Sequence, residues 1–61
     1  MLKENLIKIS NKEAFNLGIQ HRKMGHSIYY NPYRNLDNTI KISELYAHYN
    51  EGWNNANKEL S

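Results

Sequence analysis

Hydrophobic residues recur with a helical period in the last third of the chain. Six apolar or aromatic positions are spaced 4, 3, 4, 3 and 4 residues apart: Ile42, Tyr46, Tyr49, Trp53, Ala56 and Leu60. This spacing predicts one stripe along an amphipathic helix. Ser43 suits the N-cap and Glu44 the positive first turn, so the helix is predicted over about 44–59. Gly52 in its interior indicates close approach of another backbone, from the first helix or from a partner.

An earlier helix is predicted after a short apolar segment near the start of the chain. Ser10 and Glu13 form the pattern of a capping box, in which each side chain accepts a hydrogen bond from the other residue's backbone amide. The helix is predicted over about 11–24 and should end at Gly25, because glycine readily adopts the left-handed conformation beyond a helix end. Its predicted buried residues are Ala14, Phe15, Leu17, Gly18 and Ile19.

One four-residue sequence occurs twice, each time before a predicted helix. Residues 7–10 and residues 40–43 both read Ile-Lys-Ile-Ser, and their alternation suits a short strand. Pairing of the two copies as a short two-stranded ribbon is one interpretation. Chance recurrence is the other, since an isolated two-stranded pairing is marginally stable.

The segment between the predicted helices, residues 25–42, is rich in tyrosine. Tyr29, Tyr30 and Tyr33, together with Pro32, predict an ordered loop rather than a flexible tether. The predicted fold class is mainly α, a two-helix antiparallel hairpin with a tyrosine-rich connecting loop, forming a single small domain over residues 1–61. The residues predicted to pack between the helices are Phe15, Leu17, Ile19, Tyr46, Tyr49 and Trp53.

Length and composition limit what this domain can be. A chain of 61 residues has room for one modest core, and without cysteine it forms neither a disulfide nor a thiolate metal site. Charges at Lys3 and Glu4 interrupt the start, where a secretory signal needs an apolar stretch. No segment approaches the roughly 20 apolar residues that span a bilayer. A cytoplasmic location is therefore predicted.

Charge is unevenly distributed although the net charge is only +2. No acidic residue occurs from Ala14 to Leu36, whereas four acidic residues and two lysines follow from Asp37 onward. The middle of the chain is therefore the predicted contact surface for phosphates. Basic residues also stabilise the last turn of any helix, which is the structural alternative. The residues predicted to bind RNA or a partner are Arg22, Lys23, His26, Tyr29, Tyr30 and Arg34.

The aromatic residues have both a functional and a structural interpretation. Tyr29 and Tyr30 suit stacking on unpaired bases as well as covering the core. Tyr33 is predicted to be structural, because Pro-Tyr is typical of a fixed turn. Trp53 is predicted to lie in the core, because it is central to the apolar stripe.

No metal site, cofactor or catalytic site is predicted. His21 and His26 lie five residues apart, about 140° around a helix, and no acidic residue is near them in sequence. There is no cysteine nucleophile, and Ser27 beside His26 cannot by itself orient a proton transfer. The chain is therefore predicted to act by binding and not as an enzyme.

Two sequence frames resemble one known family. The first frame is G-x6-G-x-S-x4-P-Y and the second is Y-x2-G-W-x2-A, with Ala14 preceding them. The structural motif residues in these frames are Gly18, Gly25, Ser27, Pro32, Tyr33, Gly52, Trp53 and Ala56. In their order and first-frame spacing they resemble ribosome modulation factor, over about residues 14–57.

This resemblance implies a two-helix protein that binds the ribosome at RNA of the small subunit. Such a protein blocks messenger access and suppresses translation by favouring an inactive, hibernating state. Many small proteins of phages and mobile elements also resemble the family, so the alternative is a phage or mobile-element protein that inhibits or modulates a host protein. The low net charge and the acidic residues of the second helix favour this alternative: Glu44, Glu51 and Glu59.

Overall fold

Two packed helices form most of the described chain. The computed structural model describes residues 9–34, 36 and 39–60. In chain order, α1 spans Asn11–Lys23, a 3₁₀ turn spans Ile28–Tyr30, and α2 spans Ile40–Leu60. These residues contain no strand, and neither helix combines the length and apolar character needed to cross a membrane. The predicted mainly α fold is confirmed.

Both ends of α1 are formed by local hydrogen bonds that the sequence predicts. The Glu13 amide donates to Ser10 Oγ (3.1 Å), and the Ser10 amide donates to Glu13 Oε1 (3.5 Å), which completes the capping box. At the other end, the amide of His26 donates to the His21 carbonyl (2.9 Å). Gly25 follows the helix with φ +89°, in the left-handed region that favours glycine.

The start of α2 differs from the prediction. The helix begins at Ile40, and the Thr39 hydroxyl accepts from the amide of Ile42 (3.2 Å), so Thr39 takes the capping role predicted for Ser43. Residues 40–43 are therefore helical, and the second half of the predicted ribbon is absent, while residues 7–8 lie outside the described residues. Burial of Ile42 in the helical core outweighs the strand-like alternation of this segment.

Like ends of the two helices lie together. Asn11 Nδ2 donates to Glu44 Oε1 (3.2 Å), and Arg22 Nε donates to Asn57 Oδ1 (2.8 Å). These bonds join start to start and end to end, so the helices run in the same general direction, which corrects the predicted antiparallel direction. The connection over residues 24–39 is long enough to allow this. The chain has to cover only the length of α1, about 20 Å, and extended chain covers about 3.3 Å per residue.

Glycine allows the two helix backbones to touch where they cross. A Cβ atom at Gly18 would overlap the carbonyl oxygen of Tyr49, and one at Gly52 would overlap the carbonyl oxygen of Phe15. Both glycines are buried. The close backbone approach predicted at Gly52 is confirmed, and the approaching backbone belongs to α1.

The buried face of α2 is centred one position away from the predicted stripe. Its buried residues are Ile42, Leu45, Tyr49, Gly52 and Ala56. Tyr46 is 39% exposed, Leu60 is 52% exposed, and Trp53 is half-buried. On α1, Ala14 and Gly18 are the buried residues, whereas the predicted Phe15, Leu17 and Ile19 are half-buried. Glycines lie where the helix backbones touch, Leu45 and Tyr49 are fully buried, and the rings of Tyr46 and Trp53 lie at the edge of the contact.

The loop after the 3₁₀ turn is attached to α2 through one buried polar side chain. Asn31 is 3% exposed, and its Nδ2 donates to the Tyr46 carbonyl (3.2 Å) and to Asn50 Oδ1 (3.0 Å). Its Oδ1 accepts from the amide of Tyr33 (2.9 Å). Tyr33 is buried and its ring meets that of Tyr49 edge to face. The predicted structural role of Tyr33 is confirmed.

Candidate functional site

Five of the residues predicted to bind a ligand lie at the end of α1 and in the loop that follows it. Lys23 is exposed in the last turn of α1, and Arg34 is exposed beyond the 3₁₀ turn. Tyr29 and Tyr30 are 71% and 56% exposed. With the half-buried His26, they are called here the loop patch: Lys23, His26, Tyr29, Tyr30 and Arg34.

Tyr30 stacks on a histidine within the loop patch. Its ring and that of His26 are 3.9 Å apart between centroids and within 7° of parallel. The His21 centroid is 5.1 Å from Tyr30 and 5.4 Å from His26. A ring almost equally distant from both members of a stack lies beside the stack. One face of Tyr30 is therefore covered by His26, and its edge is flanked by His21.

Tyr29 is paired with the patch arginine. Arg34 Cζ lies over the Tyr29 ring, 5.3 Å from its centroid, at a distance typical of cation–π contact. Arg34 Nη1 also donates to the Tyr29 carbonyl oxygen (3.1 Å). A guanidinium group carries five N–H donors, so this bond positions Arg34 and leaves capacity for an anionic ligand.

Arg22, the sixth predicted binding residue, is held against α2. Its Nε donates to Asn57 Oδ1 (2.8 Å), and its Cζ lies 5.7 Å from the centroid of the Trp53 ring. Arg22 is half-buried. It therefore connects the ends of the two helices, and a substitution there would change packing together with charge.

Trp53 is hydrogen-bonded to the backbone of the loop patch. Its Nε1 donates to the carbonyl oxygen of His26 (2.9 Å), which fixes the backbone of the residue that stacks on Tyr30. The indole is half-buried, so the predicted core position is corrected to the rim of the helix contact. An indole at a rim buries its apolar rings and still satisfies its N–H.

A hydrogen bond between His21 and Tyr49 lies next to the loop patch. His21 Nδ1 and the Tyr49 hydroxyl are 2.5 Å apart. Burial, with smaller effects from Tyr30 and Tyr33, raises the pKa of Tyr49 to about 12. Burial, and then the neighbouring His26, lowers the pKa of His21 below 6.5. The Tyr49 hydroxyl therefore stays protonated and donates a hydrogen bond to Nδ1 of the neutral His21 imidazole.

Sequence reasoning does not find this pair. The two residues are separated by 28 positions, and no spacing rule connects a residue on α1 with one on α2 at that distance. Asn31 is missed for the same reason, because its partners Tyr46 and Asn50 lie on α2.

The lowered pKa of His21 predicts that stability decreases in mild acid. The unfolded chain takes up a proton at this position as pH falls through about 6.5, whereas the folded chain resists until a lower pH. The contribution of neutral His21 is thus complete above pH 6.5 and is lost as pH falls through its lowered pKa. Thermal unfolding followed by circular dichroism should give a lower midpoint at pH 5 than at pH 7.5.

A variant without a titrating group at this position provides the control. In His21→Asn, the amide oxygen can accept from the Tyr49 hydroxyl in place of Nδ1 and does not ionise in this range. Its unfolding midpoint should change less between pH 7.5 and pH 5 than that of the wild type. An unchanged pH dependence in His21→Asn would show that other groups cause it.

The loop patch combines cations and exposed rings without an acidic residue in its own chain segment. No aspartate or glutamate occurs from Ala14 to Arg34. Two acidic residues of α2 have contacts elsewhere, Glu44 with Asn11 and Glu51 with His48 (3.5 Å). Guanidinium and ammonium groups suit phosphate oxygens, and tyrosine rings suit base faces. This combination is suited to binding a nucleic acid.

Comparison with known proteins returned no relative of this chain: no protein family, curated protein or solved structure matches it. Within the fold, the frame residues have mainly structural positions. Gly18 and Gly52 lie in the helix crossing, Gly25 ends α1, and the Ser27 carbonyl accepts from the Tyr30 amide (3.0 Å). The resemblance to ribosome modulation factor stays a prediction.

Proposed function

We propose that this chain is a small cytosolic RNA-binding regulator that contacts RNA of the small ribosomal subunit through the loop patch and suppresses translation. The observation that carries the proposal is that the exposed rings of Tyr29 and Tyr30 and the exposed cations Lys23 and Arg34 occur together on one acid-free segment. Aromatic rings among cations are the usual means of holding unpaired RNA. The ribosome enters the proposal through the sequence resemblance alone.

The mechanism is occupation of an RNA surface, without a chemical step. Lys23 and Arg34 would contact phosphates, while the tyrosines would contact bases that the RNA leaves unpaired. A rigid patch reduces the ordering cost on binding, and the bonds from Trp53 and Arg34 to loop carbonyls supply that rigidity. An RNA surface covered in this way is closed to a messenger.

The proposal predicts weak, salt-dependent retention of ribosomal RNA. The two phosphate contacts, from Lys23 and Arg34, correspond to a slope of log affinity against log salt of about −1.4 for single strands. Tagged full-length chain should therefore retain ribosomal RNA from cell lysate at low salt and release it at moderate salt. Lys23→Glu should weaken retention and reduce the slope by roughly 0.7, because one phosphate contact is lost.

Lys12→Glu is the matched control, since Lys12 is exposed at the opposite end of α1 and the charge change is identical. It should retain RNA nearly as the wild type does. Arg22→Glu is a poorer test, because it also breaks the bond to Asn57. Equal losses in Lys12→Glu and Lys23→Glu would indicate general charge attraction and contradict binding at the loop patch.

The second candidate is a regulator that binds and modulates a host protein, as a phage or mobile-element product would. It is favoured by the acidic residues Glu44, Glu51 and Glu59, all of which are exposed on α2. The same pull-down distinguishes the two. Recovery of a single non-ribosomal protein at both salt concentrations, sensitive to Glu44→Lys or Glu51→Lys and not to Lys23→Glu, would replace the RNA proposal with this one.

A further inference from the structure

The two exposed tyrosines of the loop patch each have one face already occupied. Tyr30 is covered by His26 at 3.9 Å, which is already van der Waals stacking distance, so a base cannot insert between these rings. His21 lies beside the stack, at its edge. The outer face of Tyr30 is therefore the face available to a ligand, in agreement with its 56% exposure.

Tyr29 is arranged in the same way with a different backing group. The Arg34 guanidinium lies over one face of its ring, and the bond to the Tyr29 carbonyl holds the guanidinium there. The ring is 71% exposed, so its other side is open. Backing by a second planar group restricts each ring before any ligand arrives, which lowers the entropy lost on binding.

The two tyrosine side chains leave the turn in different directions. Tyr29 and Tyr30 are consecutive residues of the 3₁₀ turn Ile28–Tyr30, and side chains in such a turn are separated by about 120° around the axis. Their neighbours agree with this, since Tyr30 contacts His21 and His26 while Tyr29 contacts Arg34. The two rings therefore offer separate stacking positions, each with its own backing group.

From this geometry we infer that the ligand of the loop patch is a pair of nearby unpaired nucleotides whose bases are splayed apart, as in an RNA bulge or small loop. One base stacks on the open face of Tyr29 and the other on that of Tyr30. Arg34, behind Tyr29, is placed to contact the phosphate backbone. Paired bases in a duplex have no free faces to offer, so duplex RNA is excluded. This inference rests on the proposed function and specifies its ligand.

The test compares a hairpin RNA that carries a two-nucleotide bulge with the same hairpin fully paired, both closed by a non-nucleotide linker so that neither has unpaired loop bases. A fluorescent base analogue, 2-aminopurine, at the bulge positions reports stacking, and fluorescence anisotropy gives the affinities at low salt. The full-length chain should bind the bulged hairpin more tightly and change the 2-aminopurine emission. Tyr29→Leu and Tyr30→Leu should each weaken bulge binding by about five- to 150-fold, with little change for the paired hairpin.

Conservative and distant variants control for folding. Tyr29→Phe and Tyr30→Phe keep a stacking face and should bind nearly as the wild type. Tyr46→Leu removes another partly exposed tyrosine, on α2 and outside the loop patch, and should also bind normally. Circular dichroism establishes that each variant has wild-type helix content.

Three outcomes would overturn the inference. Equal affinity for the two hairpins would refute recognition of splayed bases, and so would weaker binding in only one of the two tyrosine variants. In either case RNA binding itself would still be supported if Lys23→Glu weakened both complexes. Failure of the wild type to bind either hairpin, and failure to retain ribosomal RNA from lysate, would refute the proposed function together with the inference.

Discussion

Replacement of Gly52 with alanine should lower the free energy of unfolding by about 1–3 kcal/mol, although alanine is the better helix former. The added methyl group would overlap the carbonyl oxygen of Phe15, which belongs to a helix backbone and cannot rotate away. The helices must then separate at their crossing and lose contact among the buried residues around it. Chemical denaturation followed by circular dichroism measures the change.

Asn54→Ala is the matched control, because Asn54 is an exposed interior position of the same helix. There alanine should be neutral or slightly stabilising through its helix propensity. Gly18→Ala should behave as Gly52→Ala does, since its methyl group would overlap the Tyr49 carbonyl oxygen. If both glycine variants were as stable as Asn54→Ala, the close contact between the helices would be disproved.

Replacement of Asn31 with alanine should cost about 2–4 kcal/mol and release the loop from α2. The side chain is buried and makes hydrogen bonds to Tyr46, Asn50 and Tyr33. Without it, the Tyr33 amide loses its acceptor. The free-energy cost of leaving a buried donor unsatisfied exceeds the net stabilisation that one hydrogen bond contributes. Thermal unfolding should show a large decrease in the midpoint.

The Asn31 variant also connects stability with the loop patch. Because Asn31 follows the 3₁₀ turn directly, its loss should loosen Tyr29 and Tyr30 and weaken RNA retention under conditions where the helices persist. Asn55→Ala, at an exposed position of α2, should leave both the midpoint and RNA retention unchanged. A midpoint for Asn31→Ala within the range of that control would mean that the loop does not depend on this side chain.

The site was predictable to the extent that it depends on neighbours in sequence. The acid-free segment and the cations Lys23 and Arg34 follow from composition and local pattern, whereas the sequence left open whether Tyr29 and Tyr30 cover the core or are exposed. Arg22 was predicted to bind a ligand because of its charge. Its packing against α2 was not predictable, because its partner Asn57 lies 35 positions away in sequence. The contacts of Tyr30 with His26 and of Tyr29 with Arg34 were also not predictable from sequence pattern, since side-chain rotamers and loop geometry determine which groups meet.

The sequence by itself determined the mainly α fold and both ends of α1, because the capping box and the glycine cap depend on atoms only a few residues apart. It also determined the close contact at Gly52 and the structural role of Tyr33. The tertiary structure alone decided the rest: the early start of α2, its buried face and the common direction of the helices. These features minimise the free energy of contacts between distant segments, and local propensity contributes little to that balance.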